Sequence, residues 1–328
     1  MGLYIKIKQP ESKIDTYRIE ELWQSVCTNA FGGETDPRIG MLDEFYRMDY
    51  YYIGEKKLYD ENKLKIFDKI NDYLLFDNNN YGSGINLWFD NNYICMRAPL
   101  SATYSELISL YKLVNILCKE FNTKEFYRGN LEDFELSDIS QLNWFLELGI
   151  NDLLLMLERM NKEAATSRGG YISVNGVVNP LDITSDNLKN LGIDLPLANN
   201  IENITTLMKN YENFMNKIQQ RDLFYSVFKL YRVQKNETQV INGYISVATD
   251  CDTILPQYPK YEFYFVANRY DTSKIDKFYA ILENNKGNSV YIEYDEFLRK
   301  IDFEKREKYD GGHFIVRLNT SDIEKIID

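Results

Sequence analysis

The sequence predicts an α+β fold, with mostly antiparallel sheets packed by helices in two α/β layers per domain. Two periodicities point to it. Runs such as LYIKIK (3–8), SVYIEY (289–294) and HFIVRL (313–318) are rich in strand-forming residues and largely alternate apolar with polar. The stretches 101–121 and 201–218 instead repeat apolar residues three and four apart, the spacing of an amphipathic helix. The third observation is order. Strand-like runs follow one another across short turn sequences, which favours hairpins over repeated βαβ units.

Element by element, LYIKIK is a strand and a helix is expected from Thr16 to Asn29, with Ile19, Trp23, Val26 and Cys27 on its apolar face. FGGETDPRIG (31–40) ends that helix, with Gly32 or Gly33 free to take the left-handed cap conformation. MDYYYIGEKKLY (48–59) reads as a strand, and Leu64, Phe67, Ile70 and Leu74 mark a helix face. GINLWFDNNYICMRAPL (84–100) is a hairpin turning at Asp90, Asn91 and Asn92. The helix over 101–121 is the clearest in the chain, and EFYRG (125–129) is a short strand. Two helices, Ser137–Leu148 and Asn151–Lys162, are expected on either side of Gly149.

YISVNGVV (171–178) predicts a hairpin around Asn175 and Gly176. A second clear helix carries Ile201, Ile204, Leu207, Met208, Tyr211, Phe214, Met215 and Ile218 on one face. Strands are expected over 223–233, 238–249 and 261–270, and a helix from Ser273 to Asn284. SVYIEY, a short helix (295–301), HFIVRL and a last helix from Ser321 complete the chain.

The 328 residues suit two domains, and the small, polar EAATSRGG (163–170) places the boundary between 1–164 and 165–328. A hydrophobic fraction of 44% and a charged fraction of 27% are ordinary for a globular protein. The 26 tyrosines are not. Tyr, Asn, Lys and Ile all have AT-rich codons, so genome composition explains part of this excess. Tyrosine is also amphipathic and lines binding grooves for sugars or peptides. The formal charge of −12 and the lack of a cationic stripe argue against nucleic acid and anionic membranes as partners. That field favours a basic partner. No apolar run approaches a membrane span and the N-terminus lacks an apolar signal core. Four scattered cysteines, Cys27, Cys95, Cys118 and Cys251, without a CxxC pair, suit a reducing cytoplasm.

Candidate chemistry is sparse. The single histidine, His313, follows Gly311 and Gly312 and opens an alternating run, so it reads as a turn residue entering a strand. Cys251 is the residue with which it would have to form a nucleophile–base pair. GYISVATDCDTILP (243–256) carries the sharpest local signal: an apolar strand running into Asp250 and Asp252. Carboxylates two residues apart at a strand end are suited to share a divalent cation such as magnesium. This segment resembles the DxDx[TV] motif of haloacid-dehalogenase-like phosphatases and the DxD motif of nucleotide-sugar glycosyltransferases. The phosphatase resemblance implies Asp250 as nucleophile and Asp252 as general acid. Ile254 stands where that family has Thr or Val, and no later GDxxxD-type segment follows. FGGETDPRIG and SRGGY (167–171) lack the P-loop and GxGxxG patterns. YRMDYYY (46–52) offers a tyrosine ledge.

The sequence therefore predicts a non-catalytic cytoplasmic binding protein without a cofactor, whose partner is a protein or peptide. The alternative is a magnesium-dependent phosphoryl- or glycosyl-transfer enzyme centred on Asp250 and Asp252.

Overall fold

The computed structural model describes residues 2–10, 14–41, 72–130, 133–140, 145–167, 170–193, 203–226, 228–235, 238–257, 259 and 275–328. They form an α+β protein with seven α-helices and mostly antiparallel sheets among the described residues. Among those residues no helix is long and apolar enough to cross a membrane. The chain divides into two compact units, one ending at Arg221 and one running from Asp222 to Asp328. The expected boundary at 164/165 falls inside the first unit.

Unit 1 is built on a seven-stranded antiparallel sheet. Its strands are β1 (Gly2–Lys8), β2 (Pro37–Met41), β3 (Asp72–Asp77), β4 (Ile85–Asp90), β5 (Tyr93–Pro99), β6 (Glu125–Gly129) and β7 (Phe134–Asp138), in the order β2-β3-β4-β5-β1-β6-β7. The β4–β5 hairpin turns at Asn91 and Asn92, and Asn91 takes φ 52°, a conformation that asparagine tolerates. Helix α1 (Thr16–Val26) starts at Asp15, whose carboxylate accepts from the Arg18 amide at 2.8 Å. Its buried Ile19, Trp23 and Val26 are the face expected from spacing, and the Trp23 indole donates to the Phe76 carbonyl at 3.0 Å.

Helix α2 (Tyr104–Glu120) is the centre of the unit. It packs on β1 and β5 and against α1, α3 (Phe145–Thr166) and α5 (Ile204–Gln219). Ile5, Ile7, Ile94, Met96, Leu107, Leu110 and Val114 are buried with it. A hairpin of β8 (Tyr171–Asn175) and β9 (Pro180–Thr184), followed by α4 (Ser185–Asn190), packs on α3.

Several sequence expectations are corrected here. The first helix stops at Val26, and Gly32 and Gly33 lie in a later turn. Part of FGGETDPRIG is the edge strand β2, where a first-position proline is tolerated. Leu74 belongs to β3, not to a helix. Instead of two helices about Gly149 there is β7 and then one continuous helix. A β-carbon at Gly149 would lie 3.0 Å from Ile108 and 3.3 Å from Tyr104, so glycine here allows α3 to lie close against α2. The hairpin after Tyr171 returns at Pro180–Thr184, later than expected. The expected strands over 48–59 and 261–270, the helix residues Leu64, Phe67 and Ile70, and the ledge at 46–52 lie outside the described residues.

Among the described residues unit 2 holds two four-stranded sheets. One has the order β10 (Phe224–Tyr225), β13 (Asp252–Pro256), β17 (His313–Arg317), β16 (Glu307–Lys308). The other has the order β11 (Lys229–Lys235), β12 (Thr238–Ser246), β14 (Ile275–Glu283), β15 (Ser289–Glu293). Helices α6 (Tyr294–Lys300) and α7 (Thr320–Ile327) share one core with both sheets, including Ile245, Leu255, Ala280, Leu282, Phe297, Phe314 and Ile323.

The expected helix over 273–284 is strand β14. Ile275, Phe278, Tyr279 and Leu282 sit at helical spacing, which misleads. The slot between β12 and β15, and the turn to β15 at Gly287 (φ 76°), decide for a strand. Phe278 packs against the core and Tyr279 points the other way.

Gly243 on β12 leaves room for that Phe278 ring. A β-carbon there would come within 2.6 Å of it, while Phe278 is held edge-on to Phe228 at 5.1 Å. Gly243→Ala is expected to destabilise unit 2 by about 1–3 kcal/mol through overpacking, read as a lowered urea midpoint.

Candidate functional site

The sequence-predicted residues fall in three places. Strand β12 ends at Ser246, before the acidic pair. Asp250 sits in a turn with φ 56°, its amide donating to the Leu318 carbonyl at 2.8 Å, and Asp252 is the first residue of the next strand, β13. The pair therefore starts a strand instead of ending one. Arg317, opposite Asp252 in the β13–β17 register, donates to the Asp250 carbonyl at 3.0 Å and lies 3.6 Å from the Asp252 carboxylate. Among the described residues no third carboxylate, thiol or imidazole brings a ligand atom to this pair. A guanidinium beside the carboxylates is a poor fit to a magnesium cradle, which needs several oxygen ligands around the ion.

His313 is the first residue of β17, as the sequence predicts. Asp310 precedes it by three positions, with two glycines between them. Those glycines fold the chain back: Asp310 accepts from the Gly312 amide at 2.8 Å and the His313 amide at 2.7 Å. His313 Nδ1 lies 3.1 and 3.0 Å from its two carboxylate oxygens. Both side chains are buried, and the pair closes the turn. The Cys251 thiol lies 3.8 Å from the Asp252 carbonyl, and burial raises its pKa, the opposite of what a nucleophilic thiol needs. Cys95 and Cys118 are buried and pushed up to about 11, and burial pushes Cys27 to about 12.

Unit 1 contains two buried polar networks. In one, Arg128 Nε donates to the Tyr111 hydroxyl at 2.7 Å, and both Arg128 and Tyr111 donate to the Asp152 carboxylate. Burial raises the Asp152 pKa, against the pull of Arg128. Arg128 and Asp152 line an open cleft of about 230 Å³ with Leu3, Leu100 and Met156. In the other, Glu106 and Glu212 converge on the start of α2. Glu106 accepts from the amides of Gly84 (2.6 Å), Thr103 (2.8 Å) and Ser83 (3.3 Å). Glu212 accepts from the Ser105 amide (3.1 Å), the Ser105 hydroxyl and Asn80 (2.8 Å). These carboxylates satisfy buried amides at the start of α2 (Thr103 and Ser105) and in the turn before β4 (Ser83 and Gly84), and are spent on structure.

The tyrosine excess has a structural counterpart in unit 2. The β11-β12-β14-β15 sheet turns Leu230, Ile245, Phe278, Ala280, Leu282 and Ile292 to the core. Strand alternation sends Tyr231, Tyr244, Tyr279 and Tyr291, one per strand, to the opposite face. Tyr244 stacks on Tyr279 at 5.4 Å and 17° between planes. It meets Tyr231 at 5.6 Å and Tyr291 at 5.9 Å edge to face. Tyr231 is 53% exposed and Tyr291 57%, while the central two rings are half-buried. Asn242, Ser246 and Ser289 share the face, and its Lys277 pairs with Glu293. The only sequence signal for this face was composition, because its tyrosines are scattered over 61 positions of chain (231 to 291) and one of its strands read as a helix.

Together the fold and this face define an α+β protein with a tyrosine-lined sheet surface. The chain belongs to the DUF4299 family, a domain of unknown function, whose model matches residues 39–326 and so spans the whole tyrosine face. No curated protein and no solved structure matches the chain.

Proposed function

We propose that this chain is a non-catalytic binding protein and that its partner, a protein or peptide, docks on the tyrosine face of unit 2. The observation that carries this reading is the set of four tyrosines, one from each strand, in which Tyr231, Tyr279 and Tyr291 all meet the ring of Tyr244 and the outer two are more than half exposed. Tyrosine offers large, stiff, amphipathic contact area at low entropic cost, and Asn and Ser beside it supply adaptable hydrogen bonds. This is the composition of protein-recognition surfaces, where Tyr is enriched among the residues that dominate affinity.

On this face Lys229 and Lys277 are offset by Glu283 and Glu293 among the described residues, and the chain has a net charge of −12, so nucleic acid and anionic membranes are not its partners in this reading. Four free cysteines with no disulfide among them fit a cytoplasmic setting.

The test starts from random peptides displayed on phage and panned on the full chain. A selected peptide, followed by fluorescence anisotropy, is expected to bind Tyr231→Ala/Tyr291→Ala about 30-fold more weakly, with melting unchanged. Equal affinity for both proteins, or a panning that yields no peptide, contradicts the proposal.

A further inference from the structure

We propose that the open cleft of unit 1, between α3 and the β6–β7 hairpin, binds a free amino acid with an apolar side chain, its carboxylate held by Arg128 and its ammonium by Asp133 and Glu135. The site is separate from the tyrosine face, and the inference does not rest on a partner docking there.

One wall of the cleft is a single face of α3. Asp152, Leu155, Met156 and Arg159 line it at positions i, i+3, i+4 and i+7 of the helix. The hairpin contributes Arg128, Asp133 and Glu135. Arg128 uses only part of its donor set. Its Nε donates to Tyr111 and its Nη2 to Asp152, while Nη1, with two N–H groups, has no hydrogen-bond partner among the described residues. Those bonds fix the guanidinium, yet the side chain is 28% exposed and lines the cleft. A positioned guanidinium with donors left over is well suited to receive a carboxylate.

Asp152 is not the group that meets the ammonium, because Arg128 and Tyr111 already occupy its buried carboxylate. Asp133 and Glu135 are exposed, and neither carboxylate has a partner among the described residues. Glu135 lies opposite Arg128 in the β6–β7 register, which sets unlike charges side by side at the cleft. These charges select the occupant. A phosphate would meet the three carboxylates of the lining, and a polyamine its two guanidiniums. A zwitterion satisfies both signs. Leu3, Leu100, Leu155 and Met156 offer apolar contact to its side chain. The volume of about 230 Å³ is below the roughly 300 Å³ at which pockets for drug-sized ligands begin, so the occupant is small.

Isothermal titration calorimetry of the full chain with L-leucine and with L-methionine tests this. A dissociation constant of about 0.1 mM is expected for at least one of them, in keeping with so few ligand atoms. The matching amide and N-acetyl derivatives, each lacking one charge, are expected to bind at least about tenfold more weakly. Removing Arg128 would also break the buried Tyr111–Asp152 network, so the variants avoid it. Leu155 is 58% exposed, and Leu155→Trp is expected to keep the fold, fill the cleft and abolish binding. Asp133→Asn/Glu135→Gln is expected to weaken the free amino acid about tenfold and the N-acetyl form no further.

No heat from either amino acid at about 10 mM, a hundredfold above the expected constant, overturns the proposal. Unchanged affinity in Leu155→Trp or in the doubly substituted hairpin overturns it too, as does equal binding of the blocked derivatives. Tyr231→Ala/Tyr291→Ala is expected to bind the amino acid as the native chain does, so failure here leaves the tyrosine face standing.

Discussion

Replacing Asp152 with alanine destabilises unit 1 by about 3 kcal/mol, because it leaves the Arg128 guanidinium partly buried without its counter-charge. The magnitude follows from burial. The Asp152 side chain is 5% exposed and Arg128 28%, so removal of the carboxylate strands a charge that water reaches only in part. The Tyr111 hydroxyl loses its acceptor in the same step. The effect is not a measure of what the ion pair adds, since desolvating two charges offsets most of their attraction. A second variant separates the two ideas. Arg128→Met with Asp152→Leu removes both charges and is expected to recover most of the loss, whereas Arg128→Met alone does not. Urea unfolding followed by circular dichroism reads all three.

Glu106→Ala is expected to cost unit 1 about 3 kcal/mol as well, for a different reason. Three backbone amides, from Ser83, Gly84 and Thr103, converge on one buried carboxylate and would lose their acceptor together. The same residue makes stability depend on pH. Burial pushes the Glu106 carboxyl above its ordinary value of 4.5, with the three amide donors pulling it back, and Glu212 is raised by burial likewise. A carboxyl raised in the folded state holds its proton more tightly folded than unfolded. Its stabilising contribution is therefore full below about pH 4.5 and is lost as pH rises through the raised folded value. The urea midpoint of the native chain is expected to fall across that window, and less steeply in Glu212→Gln. A midpoint that rises over the same window contradicts the direction assigned to both glutamates.

The sequence was most legible where one periodicity had no rival. α2 and the β4–β5 hairpin follow directly from apolar spacing and from Asn91 and Asn92. It was least legible where tertiary context overrides spacing. Ile275, Phe278, Tyr279 and Leu282 fit a helix as well as the strand they form, and only the neighbours β12 and β15 choose. Gly149 looks like a breaker until Ile108 and Tyr104 are seen filling the space beside it. The same holds for function. Asp250 and Asp252 are conspicuous as a motif, yet Arg317, 65 positions beyond Asp252 in the chain, stands next to them. Tyr231, Tyr244, Tyr279 and Tyr291 form no motif at all, and only strand pairing brings them together.

The most direct measurement is site-specific photocrosslinking in the host cell, with benzoylphenylalanine placed at position 231, at position 291, or at Tyr17, which is 80% exposed on unit 1. A discrete protein adduct from positions 231 and 291, and none from position 17, is the predicted result. No adduct from either sheet position, or the same adducts from all three, would contradict a docking role for the tyrosine face.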